Sequence, residues 1–350
     1  MIAVFFVAMI LAGGFVVLLL RSPLAQWSLD RANHRSLHHQ PTPRIGGIAI
    51  LIAVAIAIII SPQDGLPVIA LALAACLALV SFADDKANLP AALRLFAHAS
   101  AATLFAACCL NAGEIPGAND SSAFRSLTTP FVLISMVIAI CWMTNLFNFM
   151  DGANGLAGGM AFIGFGGYAI GAMIGATMSA EYGGGIAMTS AAISGAALGF
   201  LFFNFPTARV FLGDTGSVPI GFLAIVLGVQ GFLQGLWPWW FGLFIFSTFI
   251  VDATVTLLKR LFRGEKIWEA HREHYYQRLI LSGWSHRKTV LSYYFLILGS
   301  TISALKAQTS NLLYPIAGFW VITYASLLLY LEWRFYQEKK VESEKPLGVR

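Results

Sequence analysis

Four polar side chains, Asn145, Asn148, Asp151 and Asn154, end a long apolar run at three-residue intervals in the segment NLFNFMDGANGLAGG. A three-residue step drifts slowly around a helix, so the spacing predicts one stripe of amides and a carboxylate at a membrane surface. Gly152 and Gly155 then break the turn and let a ligand approach the backbone. Related chemistry recurs elsewhere. Asp84 and Asp85 close another apolar run, with Lys86 and Arg94 behind them. Adjacent, partly desolvated carboxylates repel unless a cation or a proton compensates. Asp214 sits in FLGDTGS, where Thr215, Ser217 and the following helix start offer hydroxyl and N–H donors to an anion. His271 and His274 stand at i, i+3 in HREHYYQRL beside Arg272 and Arg278. On a helix both imidazoles would share a face suited to an anionic nucleotide or sugar phosphate, or to proton handling.

Carboxylates on separate loops together with phosphates suit Mg²⁺, which prefers oxygen ligands and keeps several waters. Two histidines without a cysteine in the basic loop argue against zinc. A further loop, DRANHRSLHHQPTPRIGG, offers Arg35, His38 and Arg44 as phosphate contacts on backbone shaped by Pro41 and Pro43. Taken singly, each of these segments also reads as a helix cap, a solvated turn or a basic loop on anionic lipid.

The elements that must position these groups are membrane helices. With 58% hydrophobic and 11% charged residues among 350, no soluble domain could hide the apolar surface. Apolar runs at about 2–20, 45–60, 67–83, 93–111, 129–147, 155–178, 184–203, 216–234, 236–258, 289–305 and 311–332 predict an all-α, polytopic protein with about eleven spans. The first run lacks a basic start and a small-residue cleavage site, so it reads as a retained helix. The expected organisation is one integral membrane domain over 1–333, with a tail at 334–350. With the N-terminus outside and the C-terminus inside, the inward connections are 21–44, 84–92, 148–154, 204–215 and 259–288. All Lys and Arg except Arg125 and Lys306 then fall on or beside the inner face, as the positive-inside rule requires. Every chemically interesting acid and histidine falls there too, whereas Asp64, Glu114, Asp120 and Glu181 fall outside and receive no role. The four cysteines, all in apolar runs, read as small packing residues. Asp252, near the inner end of the ninth run, reads either as a site residue or as a partner for Lys259 or Arg260, with a slight preference for the site.

In order and spacing, PTPRIGG, the paired aspartates, NLFNFMDGANGLAGG, FLGDTGS and HREHYYQRL resemble the bacterial polyprenyl-phosphate N-acetylhexosamine-1-phosphate transferases. The resemblance covers roughly 30–280, and the HREHYYQRL and NFMDGANG forms are most similar to the O-antigen-initiating branch. It implies transfer of a sugar-1-phosphate from a UDP-N-acetylhexosamine to undecaprenyl phosphate, releasing UMP, at the bacterial inner membrane. It implies Mg²⁺, with Mn²⁺ as a substitute. Carried over position by position, it gives catalytic roles to Asp84, Asp85 and Asp151, and metal contacts to Asp214, Asp84 and Asp85. It gives substrate contacts to Asn148, Arg94, His271 and His274, to which the basic loops themselves add Arg35, Arg44 and Arg272. The implied partners are the nucleotide sugar, the lipid phosphate and membrane lipids, with no nucleic acid and with homodimerisation left open. Many relatives carry a second aspartate where this chain has Asn154, which puts a metal or base role there in doubt. The competing class is a transporter or lipid flippase, which would place ionisable groups along a mid-membrane path rather than at inner helix ends.

Overall fold

A computed structural model describes residues 1–30, 40–61, 66–87, 89–111, 123–177, 183–266, 269 and 271–343. In chain order, α1 (Ile2–Leu20) and α2 (Pro23–Trp27) lead into two short strands, β1 (Leu29–Asp30) and β2 (Thr42–Pro43). The helices α3 (Gly46–Ile60), α4 (Leu66–Ala87), α5 (Ala91–Asn111), α6 (Ala123–Phe149), α7 (Leu156–Ala176), α8 (Gly183–Asn204) and α9 (Asp214–Leu233) follow. The chain continues as α10 (Phe241–Ile245), α11 (Ser247–Phe262), α12 (Tyr275–Leu281), α13 (His286–Gln308) and α14 (Leu313–Ser343). The protein is an all-α polytopic membrane protein, the architecture in which each spanning segment satisfies its own backbone polar groups.

Nine helices among the described residues, α1, α4 to α9, α13 and α14, are long and apolar enough to cross a bilayer. The other two expected spans look different. Helix α3 has only 15 residues. The run at 236–258 is broken into α10 and α11, where the Ser247 hydroxyl takes the Phe244 carbonyl at 2.7 Å and so competes with the helical ladder. At the other end of the chain, α14 carries the helix through the first part of the expected tail, to Ser343.

Helix α9 is the centre of the bundle. It packs between α4 and α6 and is crossed by α3, while α7, α8 and α1 form an adjoining layer. The α3–α9 crossing is a backbone contact, since a Cβ on Gly47 would sit 2.3 Å from the Gly216 Cα. Without a hydrophobic drive between helices in lipid, such small-residue approaches supply the packing. The crossing also docks the two loops that lead into these helices. Phe211 N–H bonds to Pro43 O at 2.8 Å, Gly46 N–H to Phe211 O at 2.9 Å and Gly47 N–H to Leu212 O at 2.9 Å. Strands β1 and β2 pair antiparallel, with Asp30 opposite Thr42, and hold the PTPRIGG segment against FLGDTGS.

Candidate active site

Three separate elements bring carboxylates together: the end of α4, the turn between α6 and α7, and the first residue of α9. Asp85 accepts a hydrogen bond from the Thr215 hydroxyl at 3.2 Å and lies 3.8 Å from the Arg44 guanidinium. Arg44 also pairs with Asp30 at 2.7 Å. Burial works against its charge, but Asp30 first, then Asp214 and Asp85, hold its pKa above the ordinary value. The Gly213 N–H at the α9 start favours the charged form of Asp151 in the α6–α7 turn. Its carboxyl is pushed well above the usual range by burial, and then by Asp214 and Asp85, against the opposing pull of Arg44 and Gly213. Asn148 closes the arrangement with its amide on the Ser217 hydroxyl at 2.9 Å. Beside Asp85 and Arg44 lies a pocket of about 190 Å³, bounded by Trp27, Ser28, Leu29, Asp30 and Phe82.

The single stripe expected of Asn145, Asn148, Asp151 and Asn154 does not form. Helix α6 stops at Phe149, and Gly155, with φ of +84°, turns the chain into α7. The four side chains therefore diverge. Asn145 bonds to Cys141 O at 2.7 Å and lies 3.2 Å from the His98 ring nitrogen, while Asn154 reaches Pro206 O at 3.2 Å. The paired aspartates diverge as well, because adjacent helical residues point about 100° apart. Asp84 is taken up by Leu89 N–H at 2.7 Å and Arg94 at 3.2 Å, so both expected site residues meet each other. Asp85 alone of the pair faces Thr215 and Arg44.

The histidine segment approaches from α11 and α12. His271 and His274 precede α12 rather than riding on a helix, yet their rings lie 4.8 Å apart. His274 stacks on Phe149 at 5.9 Å and on Tyr276 at 6.1 Å, and the Tyr276 hydroxyl donates to Phe149 O at 3.0 Å. The histidines thus stand beside the turn that carries Asp151. The His271 Nδ1 accepts the Glu273 N–H at 3.3 Å, which leaves the Nε2 proton free to donate. Burial first, then His274 and Arg260, lower its pKa to about 4, so it is neutral at pH 7. Arg272 is half-buried and has no ion pair among the described residues. Arg35 and His38 lie outside the described residues.

Sequence reasoning passed over Asp30, Tyr276 and Asn204. Asn204 accepts Gly155 N–H at 2.7 Å and donates to Val210 O at 2.8 Å, joining two site loops. An acid facing a run of cations was a usable signal for Asp30; nothing local marked the other two. Of the two alternatives expected of Asp252, pairing with Lys259 or Arg260 does not form. Its partners are the Tyr275 and Tyr276 N–H groups and the Tyr293 hydroxyl, whereas Lys259 pairs with Glu332 and Arg260 with Glu265 and Glu273.

Asp85, Asp151 and Asp214 are hard oxygen donors whose mutual repulsion Arg44 relieves as the shared cation, beside the Thr215 hydroxyl and the Gly213 N–H, an environment that fits a divalent cation. Among the described residues no three His, Cys, Asp or Glu side chains form a ready-made cluster. A Mg²⁺ that keeps its waters and shares substrate phosphates needs only one or two of them.

Known proteins share a related sequence over most of this arrangement. Residues 67–232, from α4 through α9, match the family described as Glycosyl transferase family 4. The chain is 28% identical to a probable undecaprenyl-phosphate N-acetylglucosaminyl 1-phosphate transferase of Bacillus subtilis, over 81% of this chain and 78% of that protein. It is 30% identical to a phospho-N-acetylmuramoyl-pentapeptide-transferase of Halalkalibacterium halodurans, over 83% of this chain and 90% of that protein. A decaprenyl-phosphate N-acetylglucosaminephosphotransferase of Mycolicibacterium smegmatis is 26% identical, over 74% and 70%. With a match of that extent to sugar-phosphate transferases, and with the family's segment spanning the carboxylate-bearing helices, the chain belongs to Glycosyl transferase family 4, the polyprenyl-phosphate sugar-1-phosphate transferase superfamily.

Proposed function

We propose that the protein transfers N-acetylhexosamine-1-phosphate from a UDP-sugar to undecaprenyl phosphate, giving undecaprenyl-diphosphate-sugar and UMP. The observation that carries this reading is the convergence of Asp85, Asp151 and Asp214 from three elements on Arg44 and, through the α6–α7 turn, on His271 and His274. Uncompensated oxygens beside cations and imidazoles are what two phosphorylated substrates and a metal need in order to meet. The names of the relatives support the two substrate classes.

In this reading an oxygen of the lipid phosphate attacks the β-phosphorus, the bond to the bridging α–β oxygen breaks, and UMP leaves. One phosphoanhydride forms as another is lost. Asp85 assists at the acceptor, because Asp84 is occupied by Arg94 and Leu89. Arg44 draws the anionic headgroup beside Asp85, and neutral His271 donates a hydrogen bond from its Nε2–H to the diphosphate. Asn148 and Ser217 hold the α6 and α9 ends together across the nucleotide side. Asp214, with Asp85 and Asp151, would hold Mg²⁺, or Mn²⁺ in its place, which supplies charge neutralisation on the phosphate oxygens. A covalent aspartyl intermediate is the alternative route.

The site faces the cytoplasm of a bacterial inner membrane in a chain of eleven spans, N-terminus out and C-terminus in, a reading supported by the placement of Lys and Arg. The HREHYYQRL and NFMDGANG forms support a role in initiating O-antigen or a related envelope polysaccharide. The test is purified protein with undecaprenyl phosphate, Mg²⁺ and a panel of UDP-N-acetylhexosamines that includes 6-deoxy sugars. Metal-dependent UMP release and lipid-linked sugar with one donor, abolished by chelation, is the expected result. Movement of nucleotide sugar or lipid across vesicles without UMP release overturns it in favour of a transporter.

A further inference from the structure

Asp252 is a carboxylate on α11 with 4% of its surface exposed. Its Oδ1 accepts the Tyr275 N–H at 2.8 Å and the Thr256 hydroxyl at 3.4 Å. Its Oδ2 accepts the Tyr276 N–H at 3.1 Å and the hydroxyl of Tyr293 from α13. His274 Nδ1 lies 3.6 Å from Oδ1, too far for a hydrogen bond, and has no other hydrogen-bond partner among the described residues. The neighbouring cations Lys259 and Arg260 are held by Glu332, Glu265 and Glu273. A buried carboxylate without an arginine or lysine is costly unless several donors are aimed at it, and here four donors from three helices are.

Two consecutive backbone N–H groups on one carboxylate fix the orientation of the peptide planes that join His274, Tyr275 and Tyr276. That orientation sets where the chain leaves α12 backward toward His271. It also sets the direction of the Tyr276 ring, whose hydroxyl donates to Phe149 O at 3.0 Å and crowds Gly152, where a Cβ would meet it at 2.2 Å. Burial first, and then Asp252 and Asp151, push the Tyr276 hydroxyl pKa well above the ordinary value.

We propose that Asp252 is the positioning residue of the histidine segment: it touches no substrate, and it locks the Tyr275–Tyr276 backbone so that His271, Arg272 and His274 face the α6–α7 turn. This rests on the reading that those three side chains hold the donor diphosphate. Loosening the lock therefore acts on donor capture and leaves the acceptor side, where Asp85 and Arg44 stand, unchanged.

The experiment compares Asp252→Asn, Asp252→Glu and Tyr293→Phe with the unaltered protein in lipid nanodiscs. Amide hydrogen exchange is followed over 271–281, with α7 and α8 as internal references, and steady-state kinetics are run against each substrate. Asp252→Asn is expected to speed exchange of 271–281 about tenfold or more and to raise the donor KM about tenfold, with the acceptor KM and the α7 and α8 exchange unchanged. Asp252→Glu is expected to recover part of both, and Tyr293→Phe to shift both in the same direction by less. Unchanged exchange of 271–281 in both Asp252→Asn and Tyr293→Phe overturns the proposal. If Asp252→Asn loosens the whole chain, Tyr293→Phe decides: a local effect supports the proposal and a global or absent one overturns it. Local loosening with an unchanged donor KM upholds Asp252 as the anchor and instead removes the histidine segment from the donor site.

Discussion

The carboxylate face and the histidine segment are both charged and stand side by side, yet their charges are settled in opposite ways. In the segment around α11 and α12 every described acid has its partner. Glu273 and Glu265 hold Arg260 at 2.7 and 3.2 Å, Glu332 holds Lys259 and Arg278 at 2.6 Å each, and Asp252 takes backbone amides and tyrosine. On the carboxylate face Asp85, Asp151 and Asp214 press on one another with Arg44 as the shared cation, itself divided with Asp30. Saturated charge builds a scaffold, because each group already has in the folded chain what a ligand would offer. Unsaturated charge costs stability until a ligand supplies the missing sign, and it marks where chemistry is done.

Removing a charge from each region therefore has opposite consequences. Asp214→Asn is expected to lower UMP release by about 10³-fold while the thermal midpoint holds or rises, because repulsion is relieved. A fall in both would place Asp214 among the scaffold groups. Next in size is the backbone crossing that joins the two loops of the carboxylate face. Gly216→Val drives a side chain into Gly47 and Leu212, and a loss of about 3 kcal/mol is expected to show as poor folded yield by size-exclusion chromatography. In the saturated region, Arg260→Ala strips a mostly buried cation from Glu265 and Glu273. It is expected to cost about 1–3 kcal/mol in denaturation, with the residual activity per folded molecule little changed.

The pH dependence separates the two regions by sign. His271 is depressed from 6.5 to about 4 by burial, then by His274 and Arg260. Its contribution to docking is complete above the ordinary value of 6.5, and it is lost as the pH falls toward 4, because the undocked segment binds a proton that the docked one refuses. Asp151 is raised, by burial and then by Asp214 and Asp85, so its docked state gains as protons are supplied and loses as the pH rises. Hydrogen exchange without substrate, taken from pH 7.5 to 5 and corrected for intrinsic rates, is expected to show 271–281 loosening while the α6–α7 turn tightens. Parallel movement of both would erase the distinction. The smallest effect is expected of Arg263→Ala. This exposed cation duplicates Arg260 on the same two glutamates, and its loss should cost less than about 1 kcal/mol and leave turnover unchanged.

Asp84 and Asp85 show how far the sequence could be read. Their adjacency at an apolar helix end announced chemistry, but a helix sends neighbouring residues in different directions, and only the position of Arg94 and Leu89 on one side and Thr215 and Arg44 on the other divides the pair. The three-residue spacing of Asn145 to Asn154 was a helical pattern, but α6 ends at Phe149, so Asp151 and Asn154 fall in the turn beyond it. A pattern of spacing does not say at which residue the helix stops. His271 and His274 were expected to meet through a helix and meet through a turn, because α12 starts one residue after them. Asp252 illustrates the reverse limit. From the sequence it read as a site residue or as a partner for the cations a turn or two away, and the fold gave it amides 23 and 24 residues distant as partners.

By itself the sequence determined that the chain lives in a membrane, which of its residues carry charge, and that those residues gather at the ends of apolar runs. Hydropathy and charge are local properties, and the bilayer sorts them before any helix meets another. Which carboxylates face one another, which are neutralised by neighbours and which are left wanting a cation was decided only by tertiary structure. Those outcomes depend on the close crossing of Gly47 and Gly216, on the turn at Gly155 and on Asp252. The crossing and the bonds of Asp252 are contacts between elements distant in the chain, and contacts of that kind have no local pattern in the sequence to announce them.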